Sequence, residues 1–399
     1  MSTPTVLFRN AIDLNRYSNN VSRRLVESYN RIILESLREL DVLGVDNPTY
    51  RAVRLRSILT QLKESLDGWS TESLDLLAEE LTGIAEIQST QAAANLRNVL
   101  PRGMRDAVNT VEISPQFAHS VVTTDPLDTG VAVLSDELLD VPAVFSLTAR
   151  QGAVITLPGG GTIQKAFRGL AEQNAARYGQ IIRDGLLTGE TTDQIFRKLV
   201  GGLDRLRFGQ RARSARQLAQ AGGQVTSLAN RQVMALVRTT INQVSTAASR
   251  ATYEANRSIT PKYQYVATLD SRTSPICREL DGQEFPYGEG PTPPQHFNCR
   301  STIVPVVDFE ALGLPRPPEG MRASAKGQVP ADMTYGEWIY SMRNTDEGKE
   351  EIKAAFKAKA PYFMYMAKKF GPNQAMRKFL RDDGSEVTLD VLRRRYPSV

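Results

Sequence analysis

At 399 residues, 41% hydrophobic and 23% charged, the chain is long enough for two or three domains and apolar enough to bury real cores. No run approaches the ~18 apolar residues of a membrane span. The start, Met1 to Arg9, has neither the basic opening nor the apolar stretch of a signal peptide, and two cysteines with two histidines exclude a disulfide scaffold or a multi-histidine metal centre. The expectation is a protein made in the cytoplasm, with no membrane segment and a mainly α fold. The net charge of +5 is uneven: −6 over 1–150, +2 over 151–200, +7 over 201–260, −3 over 261–320 and +5 over 321–399. An acidic front and two basic blocks point to different partners for different parts, or simply to solvated helix faces.

In chain order, residues 1–112 read as a helical bundle or long hairpin. Leu14, Tyr17, Val21, Leu25, Ile32, Leu37 and Leu40 form an apolar stripe at helical spacing. A second helix is expected over 48–67, ending at Gly68, and a third is expected to start at a Ser70 or Thr71 cap. The Ala- and Gln-rich stretch 84–98 is helical and runs toward Pro101. Residues 113–162 change to an irregular connection, with β-prone pieces at 120–123, 131–134 and 153–157. Gly159-Gly160-Gly161-Thr162, with Lys165 nearby, lacks the fuller pattern of a phosphate-cradling loop and reads as a turn.

Residues 163–260 form a central helical region. One helix spans 163–187 and stops near Gly189; the next starts at a Thr191 or Thr192 cap. Arg205, Arg207, Arg211, Arg213 and Arg216 follow, and a long helix covers 224–257 with Leu228, Val233, Leu236, Val237, Ile241, Val244, Ala248 and Ala251 on its apolar side. Residues 261–320 are turn-rich and β-prone, with strands expected at 263–268 and 301–307. Past a Pro-rich linker, 321–399 returns to helix.

Both cysteines and one of the two histidines fall within 23 residues, spaced Cys277-x18-His296-x2-Cys299. Thiolates and imidazole suit Zn²⁺, a close His-x2-Cys pair can share one ion, and a small segment with little core gains most from such a staple. The competing reading is a reduced, metal-free turn cluster in which His296 bonds backbone. A Cys277–Cys299 disulfide is not expected in a reducing cytoplasm. His119 stands alone and receives no role.

At these residues the sequence resembles the phage head morphogenesis proteins, the Mu F-like or SPP1 gp7-like minor head family. The resemblance rests on Arg238-Thr239-Thr240 in a helix, an Asp-x-Arg-Thr-x-x-x-Cys element from Asp270 to Cys277, and Leu280-Asp281-Gly282. It continues in Pro293-Pro294-Gln295-His296-Phe297-Asn298-Cys299-Arg300, Thr334-Tyr335-Gly336-Glu337-Trp338, and Lys369-Phe370-Gly371-Pro372 through Arg381-Asp382-Asp383-Gly384 to Leu389, spanning about 230–395. Many relatives carry Cys-x-x-Cys where this chain has Ser274-Pro275-Ile276-Cys277, and Cys-Arg-Cys where it has Cys299-Arg300-Ser301. Three soft ligands are left, so Asp270 or Asp281 would have to complete a zinc shell. Read without the metal, Asp281-Gly282 is a type I′ hairpin signal, and Asp270 and Arg272 straddle a turn and can pair.

The resemblance implies a non-enzymatic minor head component inside the virion. It would sit in several copies around the portal, in contact with other head proteins, and act in head assembly, genome packaging or delivery. The five arginines of 205–216 could neutralise phosphates of packaged DNA without reading sequence, or pair with acidic protein surfaces. The alternative is a metal-dependent hydrolase or nuclease, since three protein ligands plus water is the catalytic zinc arrangement. The deaminase signature is absent, and a nuclease of the His-Asn-His kind would need more histidines than the one at hand. No signature of a sequence-specific DNA-binding regulator occurs.

Overall fold

The computed structural model describes residues 3–41, 48–113, 144–147, 157–158, 162–190, 194–195, 198–199, 224–317, 320–342, 345–346, 349 and 386–396. The architecture is mainly α, as the sequence implies. It divides into two compact units: Met1–Asn19, Glu80–Gly160 and Arg238–Val399 form one, and Asn20–Glu79 and Gly161–Val237 the other.

Two long helices, α1 (Thr3–Asp41) and α2 (Pro48–Val99), are antiparallel within each unit. In the first, Asn10 and Gln88 exchange amide hydrogen bonds and the Tyr17 hydroxyl donates to Glu80. In the second, Trp69 donates its Nε1–H to Ser28 Oγ at 3.0 Å, and Arg54 pairs with Glu39. From the expected stripe Tyr17, Val21 and Leu25 are buried, joined by Tyr29 and Ile33, while Ile32 is only half-buried.

The expected break at Gly68 does not occur. The Ser70 and Thr71 hydroxyls bond the Asp67 carbonyl one turn back, so they sit inside a helix rather than at its start. A mid-helix glycine costs only ~1 kcal/mol against alanine. Burial of Leu66 and Trp69 on either side outweighs that cost: Trp69 meets Tyr29 edge-on at 5.1 Å and Phe167 at 6.0 Å between ring centroids.

Helix α3 (Ile163–Leu187) starts on Thr162, whose Oγ1 accepts from Lys165 N, and ends before Gly189, at φ +73°. In α4 (Gln224–Glu254) the expected stripe is largely buried: Val233, Leu236, Val237, Ile241, Val244 and Ala248. A short parallel pair joins β1 (Thr110–Ile113) to β2 (Val144–Leu147). The β-prone pieces 120–123, 131–134 and 153–156, the caps at Thr191 and Thr192, Gly159 to Gly161, and His119 lie outside the described residues.

The Cys/His segment is built on a three-stranded antiparallel sheet, ordered β4 (Glu284–Pro286), β3 (Lys262–Val266), β5 (Thr302–Val306). Tyr263 and Tyr265 share one face by the two-residue period of a strand. Tyr263 packs into a core with Leu96, Leu100, Tyr253 and Tyr287; Tyr265 packs with Ala267, Cys277 and Cys299.

Beyond β3 lies a short helix, α5 (Pro275–Leu280). It is followed by the hairpin of β6 (Met321–Ser324) and β7 (Gly327–Pro330), then by α6 (Tyr335–Ser341). Thr334 and Glu337 close a capping box on α6 and place Trp338 at zero exposure. The last described helix, α7 (Leu389–Arg395), is tied back to α1: Arg395 and Tyr396 both bond the buried Asp13 carboxylate. The stretch Lys369 to Gly384 lies outside the described residues.

Asp281-Gly282 forms a turn, though not of type I′. Asp281 has φ −59° and ψ 124°, Gly282 has φ +84°, and Gln283 N donates to Leu280 O. These are the angles of a type II turn, which requires glycine at its third position. The negative φ at Asp281 accompanies a carboxylate at zero exposure. It accepts from Ala267 N at 2.7 Å, Tyr335 N at 2.6 Å and both terminal nitrogens of Arg322, itself 3% exposed. Removing one partner of such a buried pair strands the other. Asp281→Ala should therefore cost about 3–5 kcal/mol in urea unfolding, whereas Thr334→Ala should cost only about 1 kcal/mol.

Candidate metal centre

Cys277 is set by α5. Ser274 caps this helix, its Oγ accepting from Cys277 N, and Pro275 at the first position suits an N-terminus. The Cys277 side chain, 1% exposed, faces Tyr265, whose hydroxyl lies 3.2 Å from Sγ. His296 and Cys299 come from a tight turn in which Cys299 N donates to His296 O and Asn298 takes φ 60°. Asparagine tolerates that left-handed conformation better than most residues, and the turn brings imidazole and thiol together.

Helix α4 holds this turn by its backbone. Thr239 Oγ1 accepts from Asn298 N at 3.0 Å, and the Asn242 amide donates to Cys299 O at 2.7 Å. The residues Arg238-Thr239-Thr240, quoted above only for their resemblance, thus have a local reason: Thr239 grips the turn, and Arg238 donates to Asn19. Asn242 and the Tyr265 hydroxyl did not emerge from the sequence as parts of the site. The one available signal was position, since Asn242 follows Thr239 by three residues and so shares its helix face.

The three ligand atoms lie within 4.8 Å of one another, with Cys277 Sγ 3.3 Å from His296 Nε2 and 3.7 Å from Cys299 Sγ. A disulfide would need about 2.05 Å, so both cysteines are free. A tetrahedral zinc with bonds of ~2.3 Å to sulfur and ~2.0–2.1 Å to nitrogen has edges of ~3.8 Å (S–S) and ~3.5 Å (S–N). The two separations from Cys277 lie close to those edges. The imidazole is also correctly oriented: Nδ1 donates to the Phe297 carbonyl at 2.8 Å, which leaves Nε2 toward the sulfurs.

Electrostatics follow the same geometry. The Cys277 thiol is pushed down, first by its hydrogen bond with Cys299 and then, against burial, by His296. Cys299 is pushed up by the same shared bond and by burial. His296 is raised by Cys277 against its own desolvation. The directions favour a thiolate on Cys277 beside a protonated His296, with Cys299 shifted toward the neutral thiol.

The two aspartates offered as a fourth ligand are engaged elsewhere. Asp281 is enclosed as described above. Asp270 takes both terminal nitrogens of Arg300, at 2.5 and 2.7 Å, accepts from Arg272 N, and lies 3.7 Å from Arg272 Nε. The expected pairing across the turn is therefore present, but Arg300 is the nearer partner. Among the described residues, no further Asp, Glu, His or Cys joins the three-residue group. Arg205, Arg207, Arg211, Arg213 and Arg216 lie outside the described residues.

Comparison with known proteins agrees with the resemblance. Residues 179–304 match the family described as Phage Mu protein F like protein. Neither the curated proteins nor the solved structures give a match.

Burial raises the Asp270 carboxyl, but Arg300, by hydrogen bonds and charge, and then Arg272 outweigh it and hold the group below its usual range. A carboxylate depressed by folding stabilises above its unfolded pKa of about 3.9 and loses that contribution as pH falls through the folded value. Asp270→Asn should lower stability at pH 7 by about 1.5–3 kcal/mol. In urea melts from pH 7 to pH 2, it should also flatten the acid loss seen in the wild-type chain.

Proposed function

We propose that the chain is a minor head protein of a tailed bacteriophage, located at the portal inside the capsid and acting in head assembly and in packaging or delivery of the genome. The observation that carries this reading is the family match over 179–304, which contains Cys277, His296 and Cys299 together with the α4 residues that hold them. In this reading Zn²⁺ is held by Cys277, His296 and Cys299 and supplies a staple for a segment whose own core is small. The arginines of 205–216 neutralise DNA phosphates without reading sequence.

A second reading, a metal-dependent hydrolase, is favoured by the three-donor count and by a cavity of about 450 Å³ that His296 and Cys299 help to line. Against it, hydrolysis needs a general base near the metal. Asp270 and Asp281, the two acids the sequence offered to the site, are taken up by Arg300 and Arg272 and by Arg322.

Three measurements check the proposal. Cross-linking of purified phage heads should join this chain to the portal in a few copies per particle; its absence from heads would overturn the assignment. Elemental analysis of the purified chain should find one zinc per molecule, lost in Cys299→Ser while helical circular dichroism is largely kept. Incubation with duplex DNA and Mg²⁺ or Zn²⁺ should give no cleavage, and cleavage abolished by His296→Ala would establish the second reading instead.

A further inference from the structure

The Tyr265 hydroxyl stands 3.2 Å from Cys277 Sγ, and as free groups either atom can donate across that contact. Metal binding removes the choice. A cysteine ligates only as the thiolate, so on zinc the sulfur has no proton to give, and the contact persists only as O–H···S⁻. The Ser301 hydroxyl also neighbours both Tyr265 and Cys277. A charged sulfur is a stronger acceptor for the Tyr265 proton than a neutral hydroxyl. The ring is held in place for this bond. Tyr265 has no solvent exposure and lies on β3, the central strand of the sheet. Its backbone N–H donates to Gln283 O at 2.8 Å, and its carbonyl accepts from Gly282 N at 2.9 Å. Both partners belong to the turn that ends α5, the helix carrying Cys277. Donor and acceptor are therefore positioned by backbone that is itself hydrogen-bonded together.

We infer that Tyr265 is a positioning residue of the zinc site: its hydroxyl donates to the Cys277 thiolate and holds that sulfur for the metal. This rests on the proposed zinc site and adds to it a residue that does not ligate. Removing a donor of this kind, one layer out from the metal, typically costs about 10–100-fold in metal affinity. A phenol keeps its proton at neutral pH, so donation rather than ligation is its part. Phenylalanine would keep the ring's packing against Ala267, Cys277 and Cys299 and remove only the donor.

The test uses the full chain, stripped of metal and reloaded with Zn²⁺ or Co²⁺. Competition with a chromophoric chelator should give Tyr265→Phe a zinc affinity about 10–100-fold below wild type, with helical circular dichroism kept. In the Co²⁺-loaded chain the thiolate-to-cobalt charge-transfer band should move to lower energy in Tyr265→Phe, because the sulfur lone pair loses the proton that stabilised it. A purely structural role of the hydroxyl would leave that band in place. Tyr287→Phe is the control: it removes another buried hydroxyl, bonded to Thr260 and to the Lys262 carbonyl rather than to sulfur, and should change neither readout. Unchanged zinc affinity or an unmoved cobalt band in Tyr265→Phe, or the same affinity loss in Tyr287→Phe, would overturn the inference and leave the zinc site standing. A Tyr265→Phe chain that does not fold would also overturn it, by making the hydroxyl structural. So would a tyrosinate absorption that appears on loading the wild-type chain and is lost in Tyr265→Phe, which would make Tyr265 the fourth ligand. A wild-type chain that takes up neither ion would remove the zinc site itself, and the inference with it.

Discussion

A single buried carboxylate organises the Cys/His half of the first unit. The Asp281 side chain has no solvent exposure and is satisfied by two backbone N–H groups and an arginine fork. Those donors come from separate places: Ala267 just past β3, Tyr335 at the start of α6, and Arg322 in β6. A carboxylate out of water is costly unless every lone pair is used, so these elements hold together or loosen together. Arg322 also donates to the Ala267 and Met333 carbonyls, which extends the clamp in both directions. Because Asp281 ends α5, the clamp also fixes the helix that carries Cys277.

The partner ligands reach Cys277 from the opposite side. Their turn is held by side chains of α4, Thr239 and Asn242, acting on backbone groups rather than on the ligands themselves. Two independent supports therefore converge on one point, and three soft atoms meet there, the two separations from Cys277 lying close to the edges of a zinc tetrahedron. The apolar cluster around them is small, with Tyr265, Ala267, Cys277 and Cys299 buried and Leu280 and Phe285 partly so. A metal staple suits such a place, because binding energy there becomes folding energy.

Much of this was legible in the sequence because it is local. The α4 stripe, the strands around 263 and 303, the stop at Gly189 and the His-x2-Cys turn each follow from spacings of a few residues. The break expected at Gly68 failed for a non-local reason, since Trp69 is anchored on Ser28 and Phe167, far away in the chain. Asp281 was read as a turn residue or a fourth zinc ligand; it is a turn residue, and its larger role depends on Arg322, 41 residues on. Asp270 was read as a ligand or as a partner of Arg272, and its strongest contact is with Arg300, 30 residues away. Side-chain pairs at such separations leave no periodic trace. The Thr-x-x-Glu of the α6 capping box was a readable local signal; it was noticed only as part of a resemblance.

The zinc site proposed at Cys277, His296 and Cys299, held by these two supports, is open to direct measurement. X-ray absorption at the zinc edge of the purified full-length chain tests it most directly. The account predicts a first shell of two sulfurs at ~2.3 Å and an imidazole nitrogen at ~2.0–2.1 Å, completed by one further light atom. A shell made only of oxygen and nitrogen, or a chain that binds no zinc when purified in its presence, would contradict it.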